Sequence, residues 1–167
     1  MPIVQSKYEV CEREQAPIDI NAAMATVEDA RFGAAALFIG KVRDHSHGRA
    51  SLGVSYDVYK PLAKRIFAQI AEESVLALPK PAQAYPIKVS IQHAAGKLNI
   101  GDVAVVVAVG SPHRAESLQL CAQLIERVKH EAPIWKKEHF SDGDSEWVQG
   151  CASVSYTHLT LPTSLAV

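Results

Sequence analysis

One run of residues sets the terms for this chain. Val103 to Val109 reads Val-Ala-Val-Val-Val-Ala-Val, with no polar position to turn toward water. A strand without alternation is covered on both faces. Gly101-Asp102 stands before it and Gly110-Ser111-Pro112 breaks it, so its length is bounded. Whatever else the chain does, it must supply structure to bury two sheet faces. Its 167 residues, 48% hydrophobic and 21% charged, suffice for one domain with a real core and fall short of two.

The remaining elements follow in order. Ile3 to Val10 partly alternates and predicts a first strand. Pro17 to Asn21 leads into a short helix over Ala22 to Glu28, capped by Asp19 or Asn21. Gly33 to Gly40 is nearly all apolar and predicts a buried strand, which delivers Lys41-Val42-Arg43 into a loop from Asp44 to Arg49. Val54 to Tyr59 alternates as a strand. Leu62, Ile66, Ile70, Val75 and Leu78 have helical spacing, stopped by Pro79 and Pro81. Ile87 to Ile91 alternates again and ends at Gln92-His93, with Gly96-Lys97-Leu98 and Gly101-Asp102 marking a turn. Pro112-His113-Arg114 opens a helix that reaches Glu131 with Leu118, Cys121, Leu124, Ile125 and Val128 as its core face. Glu146 to Val148 predicts a last short strand. Helices and strands mix without regular βαβ alternation, which predicts an α+β fold: a single domain, mainly antiparallel sheet with packed helices.

Charge narrows the function. A formal net charge of −1 excludes a surface that binds polyanions as a whole, so any anion site is local; there is no aromatic-basic platform for RNA. Cys11, Cys121 and Cys151 are far apart with no C-x-x-C. That argues against a disulfide framework or zinc site and fits a reducing cytoplasm. The first residues lack the apolar core of a signal peptide, and no apolar run approaches membrane-spanning length.

The local cations fall in three groups at the ends of apolar elements. Lys41 and Arg43 follow the Gly33–Ile39 strand. His113-Arg114 opens a helix whose free N–H groups also favour an anion. Lys129 closes that helix, and Pro133, which disfavours helical geometry in Ala132, turns the chain out through Ile134 and Trp135 to Lys136 and Lys137. These lysines read equally as a solvated helix end complementing the dipole or as a grip on an anion. Sixteen residues separate His113 from Lys129, about 24 Å at 1.5 Å per residue, so one small ligand reaches both only if the helix bends or a second subunit completes the site. His45 and His47 lack a third ligand for a metal. Cys121 reads as core rather than nucleophile, and Trp135 as a packing anchor.

In order, Phe38-Ile39-Gly40-Lys41-Val42-Arg43, Tyr56-Asp57-Val58-Tyr59, Ser111-Pro112-His113-Arg114, Lys129, Ala132-Pro133-Ile134-Trp135-Lys136-Lys137-Glu138 and Gly143 before Trp147 resemble the large, catalytic subunit of molybdopterin synthase. The resemblance spans about Ile3 to Val148. It implies an α/β-hammerhead-like fold and a cytoplasmic sulfurtransferase of molybdenum-cofactor biosynthesis. That family converts cyclic pyranopterin monophosphate to molybdopterin, taking sulfur from a thiocarboxylate on the C-terminal Gly-Gly of a small ubiquitin-like subunit. It implies a large-subunit homodimer within a heterotetramer, an active site shared across the dimer, and no cofactor or metal of the enzyme's own. Carried over residue by residue, substrate contacts fall on Lys41, Val42, Arg43, His113, Arg114, Lys137 and Glu138, and catalysis on Lys129 and Lys136. Cations can hold the phosphate through ring opening. Packed cations also shed a proton more readily, which suits Lys129 to general acid–base work while Lys136 holds phosphate or thiocarboxylate. One departure stands out: His93-Ala94-Ala95-Gly96 has alanine where that family usually has arginine, which bears on a structural ion pair or the anion site. Without the resemblance, the same cations would equally serve a non-catalytic anion- or nucleotide-binding module.

Residues 154–163, Val-Ser-Tyr-Thr-His-Leu-Thr-Leu-Pro-Thr, resemble a translated sequencing adapter. The expected division is therefore a synthase-like domain over 1–153 and a non-native tail over 154–167.

Overall fold

The computed structural model describes residues 3–149. Along them lie β1 (Ile3–Glu12), α1 (Ile20–Thr26), β2 (Ala34–Lys41), β3 (His45–Ser46), β4 (Arg49–Val58), α2 (Lys60–Leu76), α3 (Lys80–Gln83), β5 (Ile87–Asn99), β6 (Val103–Ser111), α4 (Arg114–Glu131), β7 (Ile134–Phe140) and β8 (Ser145–Gln149). The proposed tail over 154–167 lies outside the described residues.

The valine-rich run becomes β6, an inner strand between β2 and β5, buried from Ala104 to Ser111. The sheet order is β2-β6-β5-β4-β7-β8, antiparallel throughout, and β1 adds to β5 in parallel. One face carries α2 and α4 over Phe67, Ile70, Ile91, Val107, Leu120 and Leu124, all fully buried. The other carries α1 over a smaller cluster that includes Ile18, Ala23, Ala94, Leu98 and Val106. The α+β expectation holds.

The strand predicted to stop at His93 instead runs to Asn99. Lys88–His93 pair with β6, and Gly96–Asn99 pair with β4. Gly96, at φ 91°, lies where the strand passes from one set of partners to the next. Its left-handed backbone, open only to glycine at low cost, gives a bend where the sequence reads as a turn. Gly53 on β4 is the matching close approach: a Cβ there would lie 2.4 Å from the Leu98 carbonyl oxygen.

Four expectations are corrected. The Gly33–Gly40 segment forms a strand, but at the sheet margin: among the described residues β2 pairs only with β6, Ala36 is its one buried residue, and Ile39 is 37% exposed. Helix α4 covers one of its faces while α1 packs over β1, β5 and β6. Leu118 is exposed, and Ser117 and Leu120 take the inward positions. On α2 the buried face is Ala63, Phe67, Ile70, Ala71, Ser74 and Val75 rather than Leu62; small residues there let the helix approach the sheet. After Pro133 the chain forms a full strand, not a turn. Ile134, Lys136, Glu138 and Phe140 point one way, and the two charged inward residues disguise the period-2 pattern.

Candidate functional site

The site forms where three chain segments converge at one end of α4. The first continues from β2. Val42 N–H donates to the Asp102 carbonyl (3.0 Å) and Gly101 N–H to the Val42 carbonyl (2.8 Å), pinning Lys41-Val42-Arg43 to the turn before β6. Val42's side chain, 7% exposed, packs into the smaller core. The second is the last turn of α4, which carries Lys129 and ends at Ala132, with the cap N–H bonded to the Val128 carbonyl. The third is β7, whose register with β4 sets Tyr56 opposite Lys136 and Val54 opposite Glu138.

Together they enclose a cavity of about 120 Å³ lined by Lys41, Arg43, Lys129, Lys136 and Glu138, with Tyr56 also in its wall. Four cationic side chains face one carboxylate, and that carboxylate is spoken for. Glu138 Oε2 lies 3.3 Å from Lys136 Nζ, and Oε1 accepts from Ser51 Oγ at 2.8 Å. With its side chain 8% exposed, Glu138 stays in the cavity wall and pairs there with Lys136. The remaining charge is a net attraction for an anion at the mouth.

Behind the mouth, sharing Tyr56, Lys129 and Lys136, lies a chamber of about 60 Å³ walled by Val105, Ile125, Val128 and Ile134. His93 lines it. Its ring meets Tyr56 edge-on, centroids 4.8 Å apart at 84°. Nδ1 lies 2.7 Å from the Ala94 carbonyl oxygen, and only an N–H can bond a carbonyl, so the proton sits on Nδ1. Burial lowers the His93 pKa to about 4; the carbonyl bond opposes that shift, and the Lys129 charge adds to it. The ring is neutral at neutral pH.

Other candidates lie elsewhere. His113 caps the far end of α4, and with Arg114 lines a separate recess beside Gly33 and Pro112. The unbroken 18-residue helix keeps them from Lys129 within one chain. Lys137 points to the opposite face of β7, with Nζ 5.4 Å from the Trp147 ring centroid, so the three-lysine grip reduces to two. Trp135, expected as an anchor, is 45% exposed, because it shares that outward face. Ala94, in the place of the expected arginine, is buried in the smaller core. Close by, Arg13 binds Asp102 through Nε at 3.0 Å and Nη2 at 3.2 Å.

Residue types and spacing alone do not single out Tyr56, His93, His45 or Ser46, all of which line the cavities. A signal for His93 exists: it extends the Ile87, Val89, Ile91 alternation one step further, and so faces the core. His45, which reads from sequence only as a poor metal ligand, is paired through Nδ1 with Asp44 at 2.8 Å. Among the described residues, no three His, Cys, Asp or Glu side chains converge as a metal site requires.

Comparison with known proteins places the chain. The family model described as MoaE protein matches residues 13–131. A molybdopterin synthase catalytic subunit from Synechococcus elongatus is 39% identical over 84% of this chain and 85% of its own length. Another from Halalkalibacterium halodurans is 41% identical over 79% of this chain and 80% of its own length. The crystal structure of molybdopterin synthase from Staphylococcus aureus superposes with a TM-score of 0.74 at 34% identity, covering 84% of this chain and 95% of that one. With family model, relatives and fold in agreement, the chain belongs to the MoaE protein family.

Proposed function

We propose that this protein is the catalytic subunit of a molybdopterin synthase, a sulfurtransferase acting in the cytoplasm on cyclic pyranopterin monophosphate. The observation that carries the reading is the convergence of Lys41, Arg43, Lys129 and Lys136 on one cavity with a small, apolar-walled chamber behind it. A cyclic phosphate finds cations at the mouth, before and after its ring opens. The inner chamber suits a narrow, extended group such as a glycine thiocarboxylate. Sulfur arrives as a thiocarboxylate on the C-terminal Gly-Gly of a small ubiquitin-like partner.

Lys129 sits where mouth and chamber meet and serves as general acid–base; Lys136, anchored by Glu138, holds phosphate or the thiocarboxylate. His113 and Arg114 stand about 24 Å along α4 from Lys129, reckoned from the helical rise, and act from the second protomer of a homodimer, each protomer binding one small subunit. The enzyme domain covers residues 1–153, with 154–167 a non-native tail. A non-catalytic anion-binding role has no observation in its favour, since the relatives are named as catalytic subunits.

The test is reconstitution with a thiocarboxylated small subunit and the cyclic pterin, following dithiolene product. Turnover by the wild-type chain and its loss in Lys129→Ala, with fold and partner binding intact, are expected. Pterin binding without sulfur transfer by the wild type would overturn the enzymatic reading.

A further inference from the structure

Among the groups that the lysine chemistry does not use, one is buried at the heart of the site. His93 is 6% exposed, sits on the most interior length of β5, and yet lines the inner chamber with Lys129. A histidine on the core face of a strand is a costly choice where Ile87, Val89 and Ile91 precede it on the same face. The costs are met in a specific way. Nδ1–H is tethered to the Ala94 carbonyl, and Tyr56 presses edge-on against the ring. Position and tautomer are thereby both fixed. What remains is Nε2, a bare lone pair, with no hydrogen-bond partner among the described residues.

The groups facing His93 from each neighbouring element narrow what that lone pair serves. From β1 and β6 come Val10 and Val105, its register partners, which offer nothing polar. From β4 comes the Tyr56 ring. From α4 and β7 come Lys129 and Lys136, the latter already held by Glu138. Of the two lysines, Lys129 is the donor left over. It has no ion pair among the described residues, and its charge is felt at His93.

We infer that His93 is a positioning residue for Lys129: its neutral ring offers Nε2 as the acceptor for one N–H of the Lys129 amine, directly or through one water. The other Lys129 hydrogens are thereby aimed at the reacting group. An ammonium on a flexible four-carbon stem needs such a fixed point, because three donors on a freely turning head define no direction. A carboxylate in the same place would pair with Lys129 and hold it charged. A neutral acceptor orients the amine and leaves its proton transferable. His93 itself touches no substrate and gains no proton in the cycle.

This inference rests on the synthase reading, and the experiment separates the two. Three variants are compared with wild type in the reconstituted reaction: His93→Asn, which keeps a donor near Nδ1 and lacks an acceptor at Nε2; His93→Gln, which can place an oxygen near Nε2; and Lys129→Ala. Expected are a ten- to hundredfold fall in kcat for His93→Asn with KM for the pterin within twofold, and recovery to within about fivefold of wild type in His93→Gln. Thermal unfolding and partner binding of each variant report folding. Nitrogen NMR of the His93 ring supplies a readout free of turnover: Nδ1–H in wild type, and a rise in the His93 pKa in Lys129→Met as the facing cation is removed. Wild-type kcat in folded His93→Asn, or a His93 titration indifferent to Lys129→Met, overturns the inference. An inactive wild type instead overturns the synthase reading, and the NMR arm still decides whether His93 and Lys129 are coupled.

Discussion

Single residues here divide into those that carry charge to the cavity and those that keep it in place. Glu138 belongs to the second group, because both of its oxygens are engaged by side chains of the protein itself. Glu138→Gln keeps the shape and removes the charge that fixes Lys136. Loss of a supporting contact of this kind lowers kcat/KM by about tenfold or more and destabilises by on the order of 1–3 kcal/mol; steady-state assays and thermal unfolding read the two effects separately. His93 sets a pH dependence of stability. In the unfolded chain its imidazole titrates near 6.5, and in the fold at about 4. Between these values the unfolded state takes up a proton that the folded state refuses, so stability falls as pH drops through that window, by on the order of 3 kcal/mol. Asp29 and Asp102, held below the usual carboxylate range by Arg31 and Arg13, contribute stability that is lost only at lower pH. Urea midpoints measured from pH 7 to pH 4 are expected to decline in wild type and to flatten across that range in His93→Gln.

At the level of elements, the sequence is most readable where one face is apolar and the other polar, or where neither is polar. β6, the cap of α1 at Asp19 and the end of α4 before Pro133 fall where propensity and proline chemistry put them. The misreadings of β5 and β7 share a cause: a site breaks the pattern that a core obeys. β7 carries Lys136 and Glu138 at inward positions, so it does not read as a strand. β5 carries His93 inward and Gly96 at a bend, so its second half reads as a turn. Gly53 tests the architecture directly. Its φ of 148°, and the Leu98 carbonyl oxygen 2.4 Å from where a methyl group would stand, leave no room for a side chain. Gly53→Ala is expected to cost about 2–3 kcal/mol, read from denaturant unfolding, by prising β4 from the second half of β5.

For the whole molecule, the cations are legible one by one in the sequence, and their grouping is not. Lys41, Arg43, Lys129 and Lys136 are brought together by tertiary structure alone, and which lysine of the Lys136-Lys137 pair turns inward depends on strand register. His113 and Arg114 remain apart from them in one chain. If each active site draws them from the second protomer, two inactive variants rescue one another. Lys129→Ala mixed equally with Arg114→Ala, after dissociation and reassembly, yields heterodimers with one intact site of two; random pairing then restores about a quarter of wild-type activity. No recovery in heterodimers confirmed by mass would place Arg114 outside the shared site.

The course of β5 has a consequence for how the protein breathes. Its amides and carbonyls are engaged by β6 along one edge and by β1 and then β4 along the other, so its middle is expected to exchange amide hydrogens only through global opening. Among the described residues, β7 has β8 alone outside it and is expected to open at lower cost. Lys136 thus rides on a strand expected to open before the middle of β5, where His93 sits. Transient opening would therefore release the outer wall and leave the floor intact, a natural route for a long, threaded peptide terminus to enter and leave.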